Sequence, residues 1–233
     1  MPRGLFFLFE GVDRCGKTTQ AKRLAEALAL SGERSELLRF PDRTTATGMI
    51  IDRYLQKQVE LDDRTVHLLF SANRWEACAK IVNCLRSGVH VVVDRYAHSG
   101  VSFSSAKPGT GPAPSGPLSL DWCKAPDAGL PMPDVIFFMD IPVEKAAMRG
   151  GFGGERYEVP AFQETVRARF NSLKADVDTI GSAACDWITV DAAGTIEDIH
   201  SFILSRTRAA IEVEKRGDSP LRALWAGAEI PLS

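Results

Sequence analysis

The fold is decided by the segment Gly11-Val12-Asp13-Arg14-Cys15-Gly16-Lys17-Thr18. It matches the phosphate-binding pattern Gly-x-x-x-x-Gly-Lys-[Ser/Thr], and it lies between a strand-like apolar run and a helix-like segment, as that pattern requires. In such a loop, backbone N–H groups converge on phosphate oxygens, and the dipole of the following helix strengthens the attraction. The segment therefore predicts a nucleotide site with Lys17 on the β and γ phosphates and the Thr18 hydroxyl on Mg²⁺.

Five apolar runs of strand length recur along the chain, at 5–9, 36–40, 89–93, 135–141 and 187–190, with helix-period segments between them. This alternation predicts an α/β fold with a mostly parallel sheet. The runs are almost wholly apolar, which is typical of strands covered on both faces. We expect helices at 17–30 and 63–86, because each ends at a Ser-Gly pair.

Size and charge restrict the kinds of partner. The chain has 233 residues, a hydrophobic content of 45% and a formal net charge of -2, so it offers no bulk attraction to nucleic acid or to an anionic membrane. No apolar run is long enough to span a bilayer, and five scattered cysteines predict neither a disulfide framework nor a zinc site. We expect one domain at 1–217, a tail at 218–233 and a cytoplasmic location, with nuclear entry left open.

Two glycine-rich stretches interrupt the pattern. The sequence Pro-Gly-Thr-Gly-Pro-Ala-Pro-Ser-Gly-Pro at 108–117 sustains neither helix nor strand, so it predicts an exposed loop. The second stretch, Gly-Gly-Phe-Gly-Gly at 150–154, follows the fourth strand and a short helix. This placement predicts a small mobile lid at about 150–158.

Charged residues follow the second and third strands. The carboxyl ends of parallel strands meet at the ligand-binding crevice, so Arg43, Asp94 and Arg95 should converge beside the phosphate loop. Asp94 is the expected partner of Thr18 on Mg²⁺. Two arginines in the crevice indicate an acceptor that itself carries phosphate. Such an acceptor is already largely ionised near neutral pH and needs positioning rather than a base.

Six motifs follow one another in a recognisable order: Gly-Val-Asp-Arg-x-Gly-Lys-Thr-Thr-Gln at 11–20, Arg-Phe-Pro-Asp-Arg at 39–43, Phe-Ser-Ala-Asn-Arg-Trp-Glu at 70–76, Asp-Arg-Tyr-x-x-Ser-Gly at 94–100, Gly-Leu-Pro-x-Pro-Asp at 129–134 and Glu-Arg-Tyr-Glu at 155–158. With them, the chain resembles thymidylate kinases from about residue 5 to residue 208. It resembles most the eukaryotic branch, which has an arginine in the phosphate loop.

The resemblance implies a P-loop NTPase fold of the nucleoside-monophosphate-kinase type, with a parallel five-stranded sheet flanked by helices and a small Gly-rich lid. It also implies a homodimer that uses Mg-ATP to convert dTMP to dTDP, a step in dTTP synthesis. Within this branch the loop arginine acts on the transferring phosphate. The resemblance therefore implies three catalytic residues, Arg14, Lys17 and Arg95.

By position, the resemblance also implies how dTMP is bound. Phe70 would stack on thymine, Arg74 would bind the edge of the base, and Asp13 would bind the 3′-hydroxyl. Tyr157 would crowd the 2′ position and disfavour ribonucleotides. The full set expected at dTMP is Asp13, Phe40, Arg43, Phe70, Arg74, Arg95, Ser99, Gly100, Tyr157 and Gln163.

The donor site is expected to combine the phosphate loop with two later segments that resemble residues packed around adenine. The set expected at ATP is Gly11, Arg14, Cys15, Gly16, Lys17, Thr18, Thr19, Arg149 and Ala192. Thr18 and Asp94 are expected to hold the metal.

Two other functions stay open at this point. A deoxynucleoside kinase would phosphorylate a hydroxyl and would need a carboxylate base near the end of the second strand, where the sequence offers Asp42. A P-loop module that binds nucleotide without turnover is the other alternative. The sequence contains no Asn-Lys-x-Asp tetrapeptide of the kind that reads guanine in GTPases.

Overall fold

A parallel sheet of five strands forms the centre of the computed structural model. The structure describes residues 2–109, 116–150, 152–180, 185–217 and 219–231, with only the backbone at 178–180. The spatial order of the strands is β2-β3-β1-β4-β5. Their bounds are β1 Phe6–Glu10, β2 Ser35–Arg39, β3 His90–Asp94, β4 Val135–Asp140 and β5 Asp186–Asp191. The predicted five-stranded parallel α/β fold is confirmed.

Helices cover both faces of the sheet, and a two-stranded antiparallel hairpin follows the last of them. The helices are α1 Lys17–Leu30, α2 Ala46–Leu55, α3 Asp63–Glu76, α4 Cys78–Arg86, α5 Ala97–Ser105, α6 Leu120–Lys124, α7 Val143–Ala147, α8 Pro160–Ile180 and α9 Ile196–Glu214. The hairpin consists of β6 Leu221–Arg222 and β7 Glu229–Ile230. None of the helices in the described ranges is long and apolar enough to cross a bilayer.

Successive side chains of β1 point to opposite faces of the sheet and enter two separate cores. Phe6 and Leu8 pack with residues of α4, α5 and α8, while Phe7 and Phe9 pack with residues of α1 and α9. This central strand is therefore fixed from both sides. The loop that follows it starts from a rigid support.

The expectation that every strand is covered on both faces is wrong for the two edge strands. All residues of β1 and β3 are buried, whereas β2 has no buried residue and β5 has only Trp187 and Val190 buried. Leu37 of β2, for example, is 39% exposed. Strand order explains the difference, because β2 and β5 each have a neighbour on one side only.

The helix predicted at 63–86 is two helices, α3 and α4, separated at Ala77. Ala77 has φ of -93° and ψ of -6°, and its N–H donates to the Arg74 carbonyl at 3.1 Å, a tighter turn than that of an α-helix. The break allows α4 to pack on β3 while α3 packs on α2 and α5.

The tail is attached to the main body by its hairpin. Leu221 and Leu224 are buried in the core on the α8 side, and Arg3 Nε donates to the Ser219 carbonyl at 2.8 Å. The division into 1–217 and 218–233 stays a prediction. Of the predicted exposed loop at 108–117, residues 110–115 lie outside the described ranges, as does residue 151 of the predicted lid.

Candidate active site

The phosphate loop leaves β1 at Glu10 and enters α1 at Lys17. Three of its residues have positive φ: Gly11 at 141°, Arg14 at 62° and Gly16 at 101°. A Cβ on Gly11 would lie 2.6 Å from the Met139 carbonyl oxygen, so this position has no room for a side chain. The loop is thus held tightly against β4 while its last residues lead into the N-terminus of α1.

Lys17 is buried and folded into its own loop. Its Nζ donates to the carbonyls of Gly11 at 3.1 Å and Val12 at 2.6 Å, and to Cys15 Sγ at 3.3 Å. The ammonium group therefore lies within the curve of the loop. The buried Cys15 thiol faces this ammonium group.

Thr18 and Asp94 meet beside the loop, as the sequence predicts. Thr18 Oγ1 donates to Asp94 Oδ2 at 2.5 Å, while the buried Asp94 Oδ1 has no hydrogen-bond partner in the described part of the chain. A hydroxyl oxygen and a carboxylate oxygen with unused capacity fit a hard divalent cation. The described ranges contain no cluster of three or more His, Cys, Asp or Glu side chains suited to a metal.

One cavity of about 600 Å³ extends from the phosphate loop to a pocket of arginines and aromatic rings. Its lining includes most of the residues predicted for the two substrates: Asp13, Arg14, Cys15, Gly16, Lys17, Thr18, Thr19, Phe40, Arg43, Phe70, Arg74, Arg95, Ser99, Gly100, Arg149 and Tyr157. Residues predicted for the donor and for the acceptor, far apart in sequence, thus face a single space.

Four predicted site residues lie behind this lining instead of in it: Gly11, Asp94, Gln163 and Ala192. Gln163 is buried and forms two hydrogen bonds with Asp13. Its Nε2 donates to Asp13 Oδ2 at 2.6 Å, and its Oε1 accepts the Asp13 N–H at 2.8 Å. The Ala192 carbonyl accepts from Arg149 Nη2 at 2.8 Å, and Arg149 Nη1 donates to the Arg14 carbonyl at 2.9 Å.

Arg95 is placed by three groups around the loop. It has φ of 69°, and its Nη1 donates to the Gly11 carbonyl at 3.2 Å and to Ser99 Oγ at 3.1 Å. Its Nη2 pairs with Asp13. Burial alone would lower the pKa of Arg95, but the carboxylates of Asp13, Asp94 and Glu10 outweigh it and raise that pKa. The guanidinium is therefore held fully charged at the cavity wall.

Arg74 forms the floor of the aromatic pocket. Its Nε donates to Asp127 Oδ1 at 3.0 Å and its Nη2 to Asp127 Oδ2 at 2.6 Å, and both side chains are buried. A Cβ on Gly100 would lie 2.7 Å from Nη2 and 3.0 Å from Nη1 of Arg74. Gly100 thus makes room for the guanidinium, and Asp127 fixes its direction.

The segment predicted to form the lid, at about 150–158, pairs with two arginines of the site. Arg14 Nε donates to Glu158 Oε1 at 2.8 Å, and Arg43 donates to Glu155 Oε1 at 2.7 Å and to Asp52 Oδ1 at 2.6 Å. Burial would raise the pKa of Glu158, but its hydrogen bond from Arg14 lowers it overall. Glu155 and Glu158 are therefore ion-paired with guanidinium groups that face the cavity.

Comparison with known proteins agrees with this geometry. The sequence model of the family described as "Thymidylate kinase" matches residues 9–203. Thymidylate kinases of Danio rerio and Homo sapiens are each 46% identical over 223 residues, covering 96% of this chain and 98% of the relative. The solved structure of thymidylate kinase from Candida albicans has a TM-score of 0.78 and 33% identity, covering 96% of this chain and 99% of that one.

The chain belongs to the thymidylate kinase family. Membership confirms the predicted enzyme class, a nucleoside monophosphate kinase, and the predicted function, phosphorylation of dTMP in dTTP synthesis. Thymidylate kinases use ATP as phosphoryl donor, so the predicted donor is confirmed as well.

In this structure, Asp42 is not placed to act as the base that the deoxynucleoside kinase alternative requires. Asp42 Oδ1 accepts from the Thr44 N–H at 3.0 Å and from the Thr44 hydroxyl at 2.6 Å, and these bonds lower the pKa of Asp42. Among the described residues, Asp42 does not line the cavity. Its carboxylate closes a local turn.

Sequence reasoning missed two carboxylates of this thymidylate kinase site, Glu10 and Asp127. Glu10 Oε1 accepts the N–H groups of Tyr96 at 2.9 Å and Ser99 at 3.0 Å, and Ser99 Oγ donates to Oε2 at 2.5 Å. The sequence did contain a signal for Glu10, because this residue ends an apolar strand as Asp94 does. Asp127 gave none, since no spacing in the sequence links it to Arg74.

Proposed function

We propose that the cavity binds ATP at the phosphate loop and dTMP at the arginine and aromatic end, so that the γ-phosphoryl group passes directly to the dTMP phosphate. The single cavity of about 600 Å³, which has the phosphate loop at one end and Phe70 with Arg74 at the other, supports this arrangement most strongly. In-line transfer needs the two substrates to face each other in one space from which water is excluded.

At the acceptor end, Phe70 stacks on thymine and Arg74 donates to the edge of the base. Asp13 accepts from the 3′-hydroxyl, because Gln163 holds its carboxylate towards the cavity. Tyr157 closes the sugar pocket, since its ring packs between Phe162 and Phe103. The other acceptor contacts come from Phe40, Ser99 and Gly100.

Four cations act on phosphate. Arg43 and Arg95 hold the dTMP phosphate, of which an oxygen attacks the γ-phosphorus as the bond to the ADP oxygen breaks. Arg14 and Lys17 stabilise the charge that develops on the transferring group, with Arg14 supplied from the same chain as an arginine finger. The acceptor phosphate is already ionised near neutral pH, so the step requires no base.

Thr18 and Asp94 hold Mg²⁺ in this proposal. The short hydrogen bond between them and the unpartnered Asp94 Oδ1 support the assignment. When bound, the ion supplies positive charge to the β and γ phosphates. Replacing Asp94 with asparagine should weaken metal-dependent ATP binding more than binding of ATP without metal, which titrations with and without Mg²⁺ will measure.

We further propose a homodimer that acts in the cytoplasm, with nuclear entry left open. Large apolar side chains on neighbouring helices α2 and α3 support a self-association face, namely Met49, Ile50, Leu68 and Trp75, each at least 40% exposed. Light scattering of purified protein should give twice the chain mass. Leu68→Glu should return it to the monomer mass, and an unchanged mass would show that association uses another surface.

The decisive experiment measures ADP release with Mg-ATP and, in turn, dTMP, dUMP, dGMP, thymidine and no acceptor. We expect dTMP to be the preferred acceptor. Activity with dUMP should be lower by about 10-fold to 200-fold, because one methyl group in an apolar pocket is worth roughly 1–3 kcal/mol. Preference for thymidine would favour a deoxynucleoside kinase, and ATP binding without acceptor-dependent ADP release would favour a module without turnover.

A further inference from the structure

Lys107 is a buried lysine that follows α5 and directly precedes the Pro/Gly-rich stretch at 108–117. Its side chain is only 7% exposed, and lysine side chains are rarely buried to this degree unless they are paired. Lys107 is not among the residues described as lining the active-site cavity, and the proposed reaction gives it no role. A buried ammonium group needs partners that compensate for its lost hydration, so its contacts indicate what it holds in place.

The ammonium group of Lys107 joins two helices and approaches the cavity wall. Its Nζ donates to Asp63 Oδ1 at 2.9 Å, at the start of α3, and to the Tyr54 hydroxyl at 3.2 Å, near the end of α2. It also lies 5.4 Å from the ring centroid of Tyr54 and 5.4 Å from that of Tyr157, close enough for a cation to be attracted to each ring. Tyr157 itself lines the active-site cavity.

The ring of Tyr157 is held by this group and by two phenylalanines. Phe162 stacks on it at 5.3 Å between ring centroids, and Phe103 lies at 5.6 Å. The Tyr157 hydroxyl donates to the Tyr54 hydroxyl at 3.3 Å, the same oxygen that accepts from Lys107 Nζ. The hydroxyl of Tyr157 is thus joined to Lys107 through a single oxygen atom.

The backbone beside Tyr157 is fixed separately. The Arg156 N–H donates to the Leu55 carbonyl at 2.9 Å, and Arg156 Nε donates to the Tyr54 carbonyl at 2.9 Å. These bonds hold the main chain against the end of α2. Lys107 acts instead on the side chain of Tyr157, so loss of its ammonium group should free the ring to shift while the backbone stays in place.

We propose that Lys107 is a positioning residue for the acceptor sugar: through the Tyr54 hydroxyl and the Tyr157 ring, it sets how strongly the enzyme prefers 2′-deoxyribose to ribose. The inference rests on the proposed function, in which Tyr157 closes the sugar pocket. A ring excludes an added 2′-hydroxyl only if it cannot move away from it, because discrimination by steric clash is lost when the clashing group yields. Lys107 and Tyr54 oppose that movement.

The test compares two acceptors for Mg-ATP, dTMP and ribothymidine 5′-monophosphate, which differ only by the 2′-hydroxyl. Lys107→Met keeps the length of the side chain and removes its charge and its donors. We expect the ratio of kcat/KM for dTMP to kcat/KM for the ribonucleotide to fall at least about tenfold, while KM for ATP changes less than about twofold. A residue that only stabilised the fold would lower both kcat/KM values by the same factor, and an unchanged ratio would overturn the proposal.

Tyr54→Phe is a second variant, which keeps the ring and removes the hydroxyl that joins Lys107 to Tyr157. It should lower the ratio as well, even if Lys107→Met does not fold. In the double variant the two effects should not add, since both act through the same oxygen. A ratio that stays at the parent value in Tyr54→Phe would refute the route through this hydroxyl and with it the proposal.

Lys124→Met is the matched control, because Lys124 also pairs with an aspartate, Asp176 at 2.5 Å, and has a side chain 18% exposed. It should leave the ratio unchanged, and a fall as large as that in Lys107→Met would overturn the proposal. If the parent does not prefer dTMP to the ribonucleotide, the proposed role of Tyr157 and this inference both fail. If the parent has that preference and the Lys107 and Tyr54 variants keep it, the inference alone fails.

Discussion

Replacing Asp127 with asparagine tests how the base pocket is held together. Arg74 and Asp127 are 2% and 0% exposed and form two parallel hydrogen bonds. Asparagine keeps the shape and one acceptor but leaves the guanidinium buried without a counter-charge, a change that costs roughly 3–5 kcal/mol when a buried ion pair is broken. We take the lower end, about 3 kcal/mol, because one acceptor survives. For a protein of this size that corresponds to a decrease in Tm of about 6–12 °C.

Thermal unfolding of parent and variant gives the stability change, and initial rates give KM for each substrate. We expect KM for dTMP to rise at least about tenfold, which is equivalent to about 1.4 kcal/mol, with much less effect on KM for ATP. Asp121→Asn is the matched control, since Asp121 carries the same charge on an exposed side chain of α6. If both variants lower Tm equally, the Arg74–Asp127 pair does not stabilise the fold and this reasoning is refuted.

Three further predictions follow from the site. Arg14→Gly should lower kcat by about 10³-fold or more while KM for dTMP changes little, and equal changes in both would contradict the finger role. Gly100→Ala places a methyl group 2.7 Å from Arg74 Nη2, so it should lower Tm and raise KM for dTMP, whereas Gly116→Ala, with open space around it, should do neither. Burial raises the pKa of Glu10, so its folded state binds a proton more readily than the unfolded chain. Urea unfolding gives the free energy of unfolding of the parent and of Glu10→Gln, and the parent's value minus the variant's should fall as pH rises above about 4.5. A difference that rises with pH would refute the raised pKa of Glu10.

The parts of the fold that were predictable from the sequence depend on local patterns. The loop at 11–18 is defined by its own spacing, and α1 begins and ends at the predicted residues, 17 and 30, because the loop precedes it and Ser31-Gly32 follows it. Strand positions were accurate to one or two residues, since β1, β3 and β4 are almost wholly apolar runs between turn residues.

The parts that the sequence left open depend on contacts between distant segments. Apolar content alone does not reveal which strands lie at the edges, and so β2 was expected to be buried on both faces. The break at Ala77 has no glycine or proline to announce it, because it is imposed by the different neighbours of α3 and α4. Asp127 meets Arg74 across 53 residues of sequence, a pairing that only the folded chain defines.

The charges of the site explain how a chain with a net charge of -2 presents several cations to phosphate. Three of the cavity-facing arginines have carboxylate partners near the phosphate loop and the predicted lid: Arg14 with Glu158, Arg43 with Glu155, and Arg95 with Asp13. These pairs neutralise guanidinium groups that would otherwise be partly buried and uncompensated. A phosphate carries up to two charges and three acceptor oxygens, so it is the stronger partner for the same groups. Glu155 and Glu158 belong to the predicted lid, so the proposed exchange of carboxylate for phosphate at Arg43 and Arg14 would link substrate binding to the position of that segment.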